Sequence, residues 1–149
     1  MHLQYDDQYL KQILTETHTI ALVGASPKPH RDSHRIMAYL QARGYRVIPV
    51  NPQISGGVLL GEHVYGTLSA IPHKIDMVDI FRNSEAAGEV CEEAIKIKAK
   101  TIWMQLGVVN GAAARRASEY GLQVVMDRCP KIEIPRLGLD LPVNLIERK

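Results

Sequence analysis

The sequence predicts a single α/β domain, 1–149, built on an open, doubly wound, mainly parallel five-stranded sheet flanked by helices. Three observations predict it. Ile20, Ala21, Leu22 and Val23 form an unbroken apolar run, as in a strand covered on both faces, and lead through Gly24, Ala25 and Ser26 into a helix. Strand and helix periods then alternate to about residue 127. A length of 149 residues suits one domain with a real core and is too short for a full catalytic domain beside it.

Each element has a local reason. Tyr9, Leu10, Ile13 and Leu14 share a helical face over residues 6–16, with Asp6 or Asp7 near the cap. The first strand follows at 19–23, and Asp32 or Ser33 caps HRIMAYLQAR, whose Ile36, Met37 and Leu40 make one stripe before a left-handed stop at Gly44. RVIPV gives a second strand at 46–50, IDMVDIF a third near 75–81, TIWMQLGVV a fourth near 101–109 and LQVVMD a fifth near 122–127. The third and fourth are joined by SEAAGEVCEEAIKIKAK, where Ala87, Val90, Cys91, Ala94 and Ile97 recur at helical spacing, with acids early and lysines late. Asn110 caps the next helix and Gly121 ends it. Residues 53–74, rich in glycine, predict a loop with one short helix around TLSAI. The tail from Cys129, with Pro130, Pro135 and Pro142, predicts an extended cover or edge.

Composition excludes several partners. The apolar fraction is 46%, the charged fraction 23% and the net charge +2, too small for a nucleic-acid or membrane surface. No apolar run reaches membrane-spanning length, and MHLQYDDQYLKQ lacks the basic-then-apolar order of a signal peptide, so a cytoplasmic protein is expected. Cys91 and Cys129 have neither metal-ligand spacing nor a disulfide framework, and reduced thiols are expected.

Ligands of doubly wound sheets sit beyond the carboxyl ends of the strands, at the switch in strand order. Those ends carry Gly24, Ala25 and Ser26; Asn51 and Pro52; Phe81, Arg82 and Asn83; Gln105, Leu106 and Gly107; and Arg128, Cys129 and Pro130. Around the first turn, Lys28, Arg31 and Arg35 join the free amides of a helix start, which suits several phosphates; a solvated basic loop is the competing reading. The turn reads GASPKP in place of GxGxxG, and the second strand ends in Asn51 without the acidic ribose ligand of NAD or an adjacent arginine for NADP. A P-loop and a phosphoreceiver site are excluded by the absence of their motifs.

The blocks GASPKPHRDSHRIMAYLQARGYRVIPVNP, DIFRNSE, WMQLGV and DRCPKIE, in that order, resemble the small stand-alone CoA-binding proteins. These are similar to the CoA-binding domain of succinyl-CoA synthetase α subunits, and the resemblance covers most of the chain. It implies a Rossmann-like domain binding coenzyme A, or an acyl-CoA. It puts the diphosphate near Gly24, Ala25, Ser26 and the helix entered at Ser33, with Asn51 and Pro52 beside the nucleotide. Phe81, Arg82, Gln105 and Gly107 then flank the later course of the ligand. Read without it, Arg82 is equally a helix-entry surface residue, Gln105 a buried amide and Phe81 core. Lys28, Arg31 or Arg35 suits the diphosphate and ribose phosphate, and Pro52 and Phe81 the pantetheine methyls.

None of His2, His18, His30, His34, His63 and His73 sits where a nucleophile, base and orienting acid can be assigned, so no catalytic residue is named. His30 and His34 straddle a loop-to-helix boundary, and no metal site is expected. Cys129, near Arg128 and Lys131, reads as a small buried residue before Pro130 or as a thiol able to form a mixed disulfide with CoA. Three functions follow. The favoured one is a non-catalytic CoA-binding sensor or carrier module, with a protein partner possible; the others are an enzyme or enzyme subunit acting on an acyl-CoA, and an NAD(P)-binding regulatory domain.

Overall fold

The computed structural model describes residues 4–140. Five parallel strands form the sheet: β1 (Thr19–Val23), β2 (Arg46–Val50), β5 (Met77–Ile80), β6 (Thr101–Met104) and β7 (Gln123–Val125). Their order is β2-β1-β5-β6-β7. The helices are α1 (Asp7–Glu16), α2 (Asp32–Ala42), α3 (Ser84–Lys96), α4 (Gly111–Glu119) and α5 (Pro130–Arg136). Between β2 and β5 the chain makes a short hairpin, β3 (Val58–Leu59) with β4 (Glu62–His63).

Period-two alternation divides the core between the two faces. Ala21, Ile48, Val78 and Ile102 point to one face and pack under α3 and α4 through Ala87, Cys91, Ala94 and Ala117. Ile20, Leu22, Met77, Trp103 and Val125 point to the other, under α1, α2 and α5 through Leu10, Ile13, Met37, Leu40 and Ile134. Burial pushes the Cys91 thiol up to about 12. Trp103 is fully buried and its indole Nε1 donates to the Arg128 carbonyl at 2.9 Å, so its one polar atom is satisfied.

The sheet's two edges are closed by tyrosines. Beyond β2, Tyr65 bridges Val50 in parallel and its N–H donates to the Pro49 carbonyl at 3.1 Å. Pro49 is tolerated in β2 because that strand lies at the sheet's edge. At β7 the Tyr9 hydroxyl accepts from the Val124 N–H and donates to the Val124 carbonyl, both at 3.0 Å, while the Tyr5 hydroxyl accepts from the Met126 N–H at 2.8 Å.

Three expectations are corrected. The tail from Cys129 is not extended: Pro130 occupies the first helical position of α5, where a missing N–H costs nothing, and Pro135 lies in its last turn. Ile134 and Leu137 then bury against the second face. Pro142 lies outside the described residues. The cap of α2 is neither Asp32 nor Ser33 but Arg31, whose side chain makes no capping bond; Asp32 turns instead to Arg35. The fourth strand stops at Met104, because Gln105 to Val108 form a turn closed by the Val108 N–H on the Gln105 carbonyl at 2.8 Å. Other expectations stand: Asp6 caps α1, Asn110 caps α4 through the Ala113 N–H at 3.0 Å, and Gly44 is left-handed at φ +100°. The short helix near TLSAI is a single 3-10 turn, Leu68–Ala70.

Candidate functional site

The strand order places β1 between β2 and β5, so successive connections leave β1 in opposite directions and open a crevice at the carboxyl ends of β1 and β5. Gly24 and Phe81 are the residues at those two ends. Gly24 sits at φ +95°, and a Cβ added there would lie 2.3 Å from the Phe81 carbonyl oxygen. Only glycine lets the two strand ends close to this distance.

The first turn is stitched to the second strand. The N–H groups of Gly24 and Ala25 both donate to the Val50 carbonyl, at 3.0 and 3.3 Å, so neither is free for a ligand. Asn51 holds the turn from below. Its Nδ2 donates to the Ala25 carbonyl at 2.7 Å, and its Oδ1 accepts from the Gln53 N–H at 2.9 Å. The Ser26 hydroxyl accepts from the Lys28 N–H at 3.2 Å, and His34 Nδ1 lies 3.0 Å from the Ser26 carbonyl, which requires the proton on that nitrogen.

The amides open to an anion belong to α2. Asp6, Asn83 and Asn110 cap α1, α3 and α4 with side-chain oxygens, whereas no side chain caps α2 or α5, and of these two it is α2 that follows the first turn. Arg35 is engaged by Asp32 and by the His30 carbonyl. Lys28 and Arg31 are exposed, and no ion pair among the described residues involves them. Two of the three cations at this corner therefore remain for a ligand.

Three cavities meet at Phe81. One, of about 490 Å³, is lined by Gly24, Ala25, Ser26, Lys28, Arg31 and Ser33. A second, of about 510 Å³, reaches from Gly24 and Asn51 past Pro52 and Thr67 to Arg82, Glu89 and Glu93. The third, of about 420 Å³, runs from Phe81 and Arg82 to Gln105, Cys129 and Ile132. The residues that the resemblance implies, with Lys28, Arg31 and Arg35, thus line one trough except Gly107, which lines none of the three; nor do Asn83, Arg128 and Pro130 of the strand ends. The Gly107 N–H instead donates to the Asp127 carboxylate at 2.8 Å, which fixes the turn after β6.

A family model for a CoA binding domain matches residues 18–135. The chain belongs to that family. This CoA binding domain is 40% identical over 123 residues to the uncharacterized protein YneT of Bacillus subtilis (strain 168), covering 83% of this chain and 90% of the relative. A hypothetical protein from Pyrococcus horikoshii OT3 has a similar structure, with a TM-score of 0.85 and 41% identity over 92% of this chain and 99% of that one. The dinucleotide-forming acetyl-coenzyme A synthetase 1 of Ca. Korarchaeum cryptofilum is similar at a TM-score of 0.62 and 28% identity, over 72% of this chain and 25% of that one. The fold is Rossmann-like, and no helix among the described residues is long and apolar enough to cross a membrane.

Sequence reasoning passed over several residues lining the trough of this CoA binding domain. Thr67 and Leu68 enter from the segment read as a loop, and Glu89 and Glu93 project from α3. The signal available was the four-residue spacing of the two glutamates, which puts them on one helical face. Val108 and Ile132 join Leu106, which the strand ends had named, in the third cavity. Cys129 is 5% exposed and lines that cavity while packing in the second core.

Proposed function

We propose that this domain binds coenzyme A or an acyl-CoA along the trough, as a sensor or carrier without catalysis of its own. The observation that carries this reading is the Gly24–Phe81 junction at the switch point, with an uncapped helix and two unpaired cations on one side and a half-apolar cavity on the other. A ligand with phosphates at one end and an apolar arm at the other fits that polarity.

The chain's own residues divide the work. Lys28, Arg31 and the first amides of α2, Ser33 among them, receive the phosphates, with Gly24, Ala25 and Ser26 as the floor beneath them. Asn51 fixes that floor, and Pro52 borders the nucleotide. Phe81 turns the ligand from one cavity to the next, Arg82 lies where the second and third cavities meet, and Gln105 lies deep in the third. Gly107 acts by shaping the turn that carries Leu106 and Val108.

Calorimetric titration with CoA, with 3′-dephospho-CoA and with NAD tests the reading. Saturable binding of CoA, weaker binding of the dephospho analogue and none of NAD is the expected order. Absence of CoA binding at about millimolar concentration, the weak end of measurable affinity, overturns it.

A further inference from the structure

We propose that the third cavity holds the acyl group of a short aliphatic acyl-CoA, with the Gln105 amide as the polar anchor at its base. The proposal rests on the reading that CoA lies in the trough. Among the described residues, only three buried side-chain polar atoms lack a hydrogen-bond partner: both carboxylate oxygens of Asp79 and Oε1 of Gln105. Gln105 is 6% exposed and lines the cavity. A buried amide oxygen with no donor is costly, and a ligand N–H that reaches it recovers the loss. The pantetheine arm of CoA carries two amide N–H groups close to its thiol end.

Beside Gln105 the cavity has a group of apolar residues. Ile36, Phe81, Val108 and Ile132 line the cavity, and Leu106 stands at its mouth. Leu106 and Ile132 are 53% and 51% exposed, two of the six large apolar side chains that the described surface leaves open. An aliphatic chain laid between them removes both from water, which free CoA, ending in a thiol, cannot do. Among the acid and bases lining the cavity, Asp32 and Arg35 pair with each other, and Arg82 and Lys131 are solvent-exposed, so their charges stay hydrated. The apolar residues therefore favour a neutral acyl group over one ending in carboxylate.

The test compares CoA, butyryl-CoA and succinyl-CoA by calorimetry on the wild-type chain and on Leu106→Ser, Ile132→Ser and Gln105→Leu. Butyryl-CoA is expected to bind about tenfold more tightly than CoA. Leu106→Ser and Ile132→Ser, at exposed positions, should bring that ratio toward one. Gln105→Leu should weaken CoA and butyryl-CoA by similar factors, since the amide meets the arm common to both. Equal affinities for CoA and butyryl-CoA, or a preference for succinyl-CoA, overturn the proposal while leaving CoA binding intact. A wild-type chain that binds none of the three overturns the underlying reading as well.

Discussion

Gly24 and Phe81 are locked together: a single methyl group on Gly24 would fall 2.3 Å from the Phe81 carbonyl oxygen, inside any permissible contact. The contact joins β1 to β5 at the point where the sheet changes direction, and the Phe81 N–H donates to the Val23 carbonyl at 2.8 Å just beneath it. Gly24→Ala has two faults, the clash and a left-handed backbone. It is expected to cost roughly 2–4 kcal/mol of stability, read from urea unfolding midpoints, and to abolish CoA binding in whatever fraction stays folded.

Lys28 and Arg31 offer the converse case. Both are exposed, and among the described residues neither takes part in an ion pair, so alanine at either position should leave the unfolding midpoint within about 0.5 kcal/mol of wild type. Each substitution should weaken CoA by roughly tenfold and flatten the dependence of affinity on salt. Titrations at low and high ionic strength separate this from a solvated basic loop, for which neither quantity changes.

Asn51 bridges the ends of two strands through its side chain. Asn51→Ala leaves the Ala25 carbonyl and the Gln53 N–H without that partner and should cost about 1–2 kcal/mol. The same change should lower CoA affinity, because the turn that carries Ser26 and Lys28 is no longer tied down. Asn110→Ala, which removes the α4 cap and the Nδ2 bond to the Ser84 carbonyl, serves as the comparison: about 1–2 kcal/mol of stability with affinity unaltered.

Asp79 lies in β5 in register with Leu22 on one side and Trp103 on the other, fully buried. Burial pushes its carboxyl from 3.8 up to about 8. The folded chain therefore keeps a proton that the unfolded chain releases, and stability falls as pH rises from about 4 to about 8, then levels off. Asp79→Asn should match wild type near pH 4 and exceed it at pH 8.5 by a few kcal/mol, at most about 6. Thermal unfolding at the two pH values checks the sign; a gain independent of pH excludes titration of Asp79 as its cause.

Much of the fold was legible because the decisive signals are local. The apolar run into Gly24, the asparagine caps and the alternation of periods each depend on a few neighbouring residues. The failures occurred where local chemistry points two ways. Pro130 and Pro135 read as helix breakers, yet the first is at the one helical position that welcomes proline. Asp32 reads as a cap, but its carboxylate is drawn to Arg35 one turn on. The candidate site was legible as a set of strand ends. What each residue does there was not: that Asn51 ties the turn and that Gln105 is unsatisfied depend on how distant segments meet, and that Arg35 is already paired depends on the shape of the loop that brings the His30 carbonyl and Asp32 to it.

The tyrosines along the sheet's borders govern how this chain meets its own copies. Strand borders are templates for aggregation, and here one is shielded by Tyr65 and the other by hydroxyls from Tyr5 and Tyr9. Growth of the sheet from molecule to molecule is thereby discouraged at both sides. The guard at β7 hangs on the segment around α1, so deletion of the first ten residues should bare that border and promote ordered aggregation on warming.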